Sequence, residues 1–219
     1  MIRGVLWDFG GVITTSPFEA FNRFERERGL PLDFIRSVNA TNPRDNAWAQ
    51  LESDAIDIAS FDALFAEEAA SAGHRIGGVE VLALLSGDVR PEMVASLRAI
   101  KGRYAVACIT NNVKNAGTGP GMAADSGKAK QMAEAMSLFD FVIESSVVGL
   151  RKPDPRIYEL ACEKMGIQPA EAVFLDDLGI NLKPARAMGM QTIKVVTAAQ
   201  ALEELSALLE MSLPPAGDT

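Results

Sequence analysis

The stretch IRGVLWDFGGVIT, residues Ile2 to Thr14, opens the chain with an apolar run that ends at an acid and two glycines. The run predicts a buried β-strand with Asp8 at its carboxyl end. In open α/β sheets ligands bind beside that edge, where Gly10 and Gly11 would let the backbone turn sharply and approach a ligand closely. Taken alone, the stretch also fits an ordinary turn in which Asp8 caps the backbone. The two interpretations differ in whether polar residues elsewhere in the chain come to the same sheet edge as Asp8.

The composition is that of a globular protein with a sizeable core, since 48% of the 219 residues are hydrophobic. No apolar stretch is long enough to span a bilayer and no signal-peptide pattern opens the chain, so we expect a cytoplasmic protein without a membrane partner. The net charge of -8 argues against nucleic-acid binding. Cys108 and Cys162 lack metal-binding spacing and are predicted to be buried thiols.

After the first stretch the pattern becomes helical. Helical spacing continues through Pro43 to Leu51 and Ile58 to Ala72, and no strand-like alternation interrupts it. We therefore predict an all-helical unit, residues 16–88, inserted after the first strand into a core formed by residues 1–15 and 89–219.

Local signals mark where several helices begin and end. Ser16 before a proline predicts a helix start, and Gly29 predicts the end of that helix. Asp154 and Gly166 bracket a later helix in the same way.

From residue 94 onward helix and strand patterns alternate. The predicted strands are apolar and rich in β-branched residues: Tyr104 to Ile109, Phe139 to Ile143, Val173 to Leu175 and Thr192 to Val196. This alternation is typical of an α/β fold in which helices cover both faces of a parallel sheet. The segment from Asn112 to Met132 is rich in glycine and lysine but lacks the spacing of a phosphate-binding Walker loop, so we interpret it as a surface loop.

Each predicted strand end is followed by a polar group, and parallel strands bring these ends to one edge. The candidate site residues, in chain order, are Asp8, Thr110, Asn111, Lys152, Asp176, Asp177 and Asn181. Three carboxylates at one edge repel each other unless a cation lies among them, and oxygen ligands favour Mg²⁺. With Mg²⁺ and Lys152 present, Asp8 can act as a nucleophile on a phosphoryl group. The pattern therefore indicates phosphoryl transfer to Asp8 followed by hydrolysis.

The four motifs Asp8 to Val12, Ile109 to Asn111, Lys152 and Phe174 to Asp177 resemble, in order, those of the haloacid dehalogenase-like (HAD) hydrolase superfamily. The resemblance spans nearly the whole chain and implies a Rossmann-like core in which the helical unit is a C1 cap that shapes substrate choice. More narrowly, GLRKPDPRIY and FLDDLGINLKPARAMGM are similar to the phosphatase-like amino-terminal domains of soluble epoxide hydrolases and of some acyl-CoA dehydrogenases.

The resemblance also implies a role for each motif residue. It makes Asp8 the nucleophile and a metal ligand, with the Gly10 carbonyl and Asp177 as the other protein ligands of Mg²⁺. Thr110 and Asn111 would hold the phosphate, and Lys152 would offset its charge. Asp176 would support the metal shell, and Asn181 would orient a contact behind it.

The chain departs from the family at Gly10, where most of the phosphatases have a second aspartate that protonates the leaving group and later activates water. A general acid or base contributes about two to four orders of magnitude in rate. The leading hypothesis is therefore a Mg²⁺-dependent phosphatase of small phosphorylated metabolites, monomeric or homodimeric, that is slow toward poor leaving groups.

Two alternatives stay open. In a haloacid dehalogenase Asp8 would attack carbon without a metal, which would leave the pair Asp176 and Asp177 unexplained. A binding module would keep the metal and phosphate pocket but would have lost turnover with the change at Gly10.

Overall fold

The computed structural model describes residues 1–85, 87–112 and 126–214. The described residues form a five-stranded parallel sheet with the strand order β3-β2-β1-β4-β5. Its strands are β1 (Gly4–Trp7), β2 (Ala105–Thr110), β3 (Phe141–Glu144), β4 (Ala172–Asp176) and β5 (Gln191–Lys194). The predicted α/β fold with a parallel sheet is thus confirmed.

The helices are α1 (Pro17–Arg28), α2 (Phe34–Ala40), α3 (Ala47–Glu52), α4 (Ile58–Ser71), α5 (Gly78–Leu82), α6 (Pro91–Ile100), α7 (Ser126–Met136), α8 (Ser145–Val148), α9 (Pro155–Met165), α10 (Gly179–Ala187) and α11 (Ala198–Leu209). Short 3₁₀ turns cover Ala83–Leu85 and Pro169–Glu171. In the described part of the chain, no helix combines the length and the apolarity that crossing a membrane requires.

The central strand of the sheet is β1, which pairs with β2 on one side and with β4 on the other. Leu6 lies opposite Ala107 in β2 and Phe174 in β4. All residues of β1 are buried because helices cover both faces, which explains why the strand reads as a continuous apolar run. Because β1 is central, Asp8, which follows Trp7, lies at the middle of the edge formed by the carboxyl ends of the strands.

Two apolar clusters, one on each face, hold the helices to the sheet. On one face Val5 and Trp7 pack with residues of α6 and α11, such as Leu97 and Leu205. On the other face Leu6 packs with α9 and α10. Because strand side chains alternate between faces, the two clusters follow directly from successive residues of β1.

The helical insertion, α1 to α5 and the 3₁₀ turn after them, has an apolar cluster of its own. Aromatic residues dominate it, including Phe21, Phe34, Phe61 and Phe65. The chain leaves and re-enters the core through two adjacent segments, because Thr14 and Val89 form an antiparallel bridge. The insertion therefore connects to the core beside the site-bearing end of β1.

Local helix signals agree with the structure at several ends. Ser16 caps α1, where its Oγ accepts a hydrogen bond from the Phe18 N–H, and Gly29 ends the helix with φ 66°. The predicted loop is a different case: residues 113–125 lie outside the described residues, and α7 begins at Ser126. The loop prediction is therefore wrong for residues 126–132, because the good helix formers of AKQMAEAM outweigh the preceding glycine.

Candidate active site

The carboxyl ends of the three central strands meet at one edge and carry the predicted polar groups. Asp8 follows β1 and its N–H still donates to the Leu175 carbonyl of β4 at 2.8 Å. Thr110 ends β2 and Asp176 ends β4, and all three residues are buried. The parallel sheet thus brings together residues that are far apart in the sequence.

Lys152 is the centre of the site and is almost completely buried, with 1% of its side chain exposed. Its Nζ lies 2.7 Å from Asp8 Oδ2 and 2.8 Å from Asp176 Oδ2. Burial alone lowers the pKa of Lys152, but the charges of Asp176 and Asp8 outweigh that effect and raise the pKa above its usual value. The ammonium therefore stays charged between two carboxylates.

The backbone at Lys152 is fixed by Asn111. The Lys152 N–H donates to Asn111 Oδ1 at 2.9 Å, and Asn111 Nδ2 donates to the Lys152 carbonyl at 3.0 Å. Both ends of the amide are thus used to hold the loop that carries the lysine. The Asn111 side chain therefore fixes the Lys152 backbone, a role separate from the phosphate contact that the family resemblance implies.

Asp176 is fully buried and has its oxygens occupied. Its Oδ1 accepts from the Leu178 N–H at 2.8 Å, and both oxygens lie 3.1 Å from Asn181 Nδ2. Together with the Lys152 contact these bonds satisfy a carboxylate that would be costly to bury alone. Asp176 is therefore placed to hold Lys152 in position.

Asp177 lies against the turn that follows β1. A Cβ on Gly11 would come within 2.2 Å of Asp177 Oδ2, and Gly11 also has φ 75°, so this position needs glycine on two counts. Ser16 Oγ donates to the same Oδ2 at 3.3 Å. The two glycines of the opening stretch thus have separate roles, and Gly11 is the one that admits Asp177.

Asp8, Asp176 and Asp177 form a carboxylate cluster in which one oxygen from each lies within 4.8 Å of the others. Burial, and then the charge of Asp176, raise the pKa of Asp177 to about 6. Burial likewise raises the pKa of Asp8, and the Lys152 ammonium opposes that rise. A hard divalent cation would relieve this crowding of negative charge, so the donor set fits Mg²⁺.

Gly10 is exposed, and a Cβ built on it meets no atom within 4 Å. Its φ lies outside the left-handed region, so an ordinary side chain fits this backbone without strain. Among the described residues, none therefore blocks the position that the Cβ of an acidic residue would take at Gly10.

Sequence reasoning missed two residues that reach this edge. Glu52, at the end of α3, accepts a hydrogen bond from Asn111, and Arg151 pairs with Glu52. A glutamate in an amphipathic helix carries no signal that distinguishes it from a solvated one. Arg151, beside Lys152, likewise carries no signal that distinguishes it from an arginine in solvent.

Comparison with known proteins gives several matches. Residues 2–189 match the family model described as haloacid dehalogenase-like hydrolase. Bifunctional epoxide hydrolase 2 of Mus musculus is 33% identical over 227 residues, which cover 98% of this chain but 40% of that protein. Acyl-CoA dehydrogenase family member 10 of Mus musculus is 32% identical over 219 residues, covering 96% of this chain and 19% of that protein. The chain thus spans less than half of both relatives.

Two further matches have lengths like that of this chain. Phosphatase MT3486 of Mycobacterium tuberculosis is 27% identical, and the alignment covers 97% of this chain and 99% of that protein. A HAD-family enzyme of Bacteroides thetaiotaomicron, solved in complex with magnesium and inorganic phosphate, superposes with a TM-score of 0.56 at 20% identity and covers 100% of this chain and 97% of that one. At that identity the second match supports the fold alone.

Proposed function

The chain belongs to the haloacid dehalogenase-like hydrolase family, and we propose that it is a magnesium-dependent phosphatase of small phosphorylated metabolites. One observation carries the proposal: the buried Lys152 pairs with both Asp8 and Asp176. These two carboxylates and that of Asp177 each have an oxygen within 4.8 Å of the others. The relative named as a phosphatase, which is similar in length to this chain, supports the same reaction class.

The proposed reaction begins at Asp8. One of its carboxylate oxygens attacks phosphorus, the bond from phosphorus to the ester oxygen breaks, and the leaving group departs with the bonding electrons. Lys152 offsets the negative charge that would otherwise keep the phosphoryl group from the carboxylate. Water then attacks phosphorus and gives up a proton to solvent, and the bond from phosphorus to the Asp8 oxygen breaks, which releases inorganic phosphate and restores the Asp8 carboxylate.

The metal site is part of this proposal. Asp8, Asp177 and the Gly10 carbonyl would hold Mg²⁺, whose charge would stabilise the phosphoryl oxygens. Asp176 and Asn181 would keep the neighbouring groups in place, since Asp176 accepts hydrogen bonds from both Asn181 Nδ2 and Lys152 Nζ. Thr110, buried at the end of β2, would bind a phosphate oxygen from the opposite side.

The leaving group receives no proton from position 10 in this chain. We therefore propose that the preferred substrates have leaving groups that need little protonation, such as acyl phosphates, or carry an acid of their own. General acid catalysis matters most for leaving groups of high pKa, so alkyl phosphates should react slowly.

The test is phosphate release by the purified chain with Mg²⁺ from acetyl phosphate, p-nitrophenyl phosphate and a panel of phosphorylated metabolites. Turnover that falls at least about 10³-fold in Asp8→Asn would support the proposal, because the variant keeps the shape and lacks the nucleophile. Absence of phosphate release from every compound would overturn it. Chloride release from 2-chloropropionate without Mg²⁺ would indicate a dehalogenase instead, and phosphate binding without turnover a binding module.

A further inference from the structure

Glu52 is a carboxylate of the helical insertion that is buried against the core. Its Oε1 accepts from Trp48 Nε1 at 2.9 Å within α3. Its Oε2 lies 2.5 Å from Arg151 Nη2 and 3.4 Å from Asn111 Nδ2, both of which belong to the core. The Ser145 hydroxyl also donates to the Glu52 carbonyl at 2.9 Å. Four contacts thus converge on one residue at the junction of insertion and core.

Arg151 completes the junction from the core side. Its Nη1 donates to the Pro43 carbonyl of the insertion at 3.0 Å, while Nη2 pairs with Glu52. Arg151 is the residue directly before Lys152, and Asn111 holds the Lys152 backbone. The insertion is therefore attached to the same short segment that carries the lysine of the site.

The contacts of Glu52 also exclude one obvious role for it. A carboxyl group close to a site that lacks an acid at Gly10 is a natural candidate for a replacement acid. Both oxygens of Glu52 already accept hydrogen bonds, and one of them pairs with a guanidinium at 2.5 Å. A group in this arrangement is committed to its protein partners, so we assign it no proton transfer.

We propose that Glu52 and Arg151 are a positioning pair that holds the helical insertion against the substrate site. The inference rests on the proposed phosphatase function for its kinetic part only. The pair is largely shielded, with 10% of the Glu52 side chain and 25% of the Arg151 side chain exposed. Such a pair is screened less than a surface pair and costs more when one partner is removed.

The expected consequence is a change in KM. Without the pair, the insertion leaves the core more often, and substrate binds only to the fraction of molecules that is docked. Lys152 keeps its bonds to Asp8 and Asp176, which involve no atom of the insertion. KM should therefore rise about 10-fold, while kcat stays within about threefold of the wild-type value.

The variants are Glu52→Gln, Arg151→Gln, the double variant and Arg156→Gln as a matched control. Arg156 lies in the first turn of α9, five residues after Arg151, and its guanidinium pairs at 2.6 Å with Asp154, a residue of the core. In the double variant KM should rise by less than the product of the two single-variant increases, because both substitutions remove the shared contact between Glu52 and Arg151. The control should keep the wild-type KM.

A structural role alone would give a different kinetic result. Partial unfolding lowers the active concentration, and so the apparent kcat, without raising KM. A loss confined to kcat, single-variant KM values within twofold of wild type, or KM increases that multiply in the double variant would each overturn the proposal.

Hydrogen exchange without ligand provides a test that needs no turnover. Amides of residues 47–52 and 145–149 should exchange faster in both single variants than in wild type and the Arg156→Gln control. Unchanged exchange in those segments would overturn the positioning pair. If the wild type hydrolyses no phosphate ester, the phosphatase proposal fails, and hydrogen exchange alone decides on the pair.

Discussion

Replacing Gly10 by aspartate should supply the proton donor that this chain lacks. Gly10 lies two residues after Asp8, and a Cβ at this position meets no atom within 4 Å. The backbone there is outside the left-handed region, so a residue with a Cβ can adopt it without strain. We therefore expect Gly10→Asp to fold like the wild type and to hydrolyse phosphate esters faster. Most substitutions in an active site lower the rate instead.

The size of the gain should depend on the leaving group. A positioned general acid contributes about 10²- to 10⁴-fold to the rate when the leaving group needs a proton. For alkyl phosphates we expect kcat/KM to rise about 100-fold. For p-nitrophenyl phosphate, whose leaving group is a stable anion, the change should stay below about 10-fold.

The assay is kcat/KM with Mg²⁺ for a series of phosphate monoesters of increasing leaving-group pKa. The wild type should lose activity steeply along the series, and Gly10→Asp should lose it more gradually. Gly10→Asn is the matched control, because it has almost the same shape and hydrogen-bonding reach but no acid. Equal slopes for the aspartate and asparagine variants would refute the reasoning.

Three further measurements test the site and the core. Mg²⁺ at 100 times its Kd should raise the free energy of unfolding of the wild type by about 2.7 kcal/mol in thermal unfolding, and Asp177→Asn should lose most of this effect. If Mg²⁺ does not change the stability of the wild type, the metal site is contradicted. Asn181→Ala should lower the free energy of urea unfolding by about 1 to 3 kcal/mol, because it leaves buried Asp176 with fewer donors, and a change below about 0.5 kcal/mol would contradict this. Burial raises the pKa of Cys162 to about 11 and that of Cys108 further, so at pH 8 neither thiolate forms appreciably; iodoacetamide should label neither thiol in the folded protein and both in urea.

The strand-end residues could be predicted because a parallel sheet leaves little choice in their placement. Once Asp8, Thr110 and Asp176 were assigned to strand ends, the topology required them to share an edge, and the structure places them there. Lys152 follows no strand directly, yet it also meets Asp8 and Asp176. Its position depends on the Asn111 amide, for which the sequence predicted contact with a phosphate and not with the Lys152 backbone.

Contacts between the insertion and the core could not be predicted, since they depend on how a helical unit docks. Ser16 was predicted to cap a helix, but the pattern contains no sign that its hydroxyl also reaches Asp177. Glu52 and Arg151 are separated by 99 positions and meet only after docking. The start of α7 was missed because local glycines suggested a loop while the following side chains favour a helix.

The central position of β1 also determines when during folding the site can exist. Val5 pairs with Val106 in β2 and with Val173 in β4, so both edges of the first strand are paired only after two distant segments have joined the sheet. Long-range pairing of this kind closes large loops and slows folding. Partly synthesised chains and fragments that end before β4 lack Asp176 and Asp177, so they present Asp8 without the groups that hold it. Catalytic activity should therefore return late in refolding, after most helix has formed.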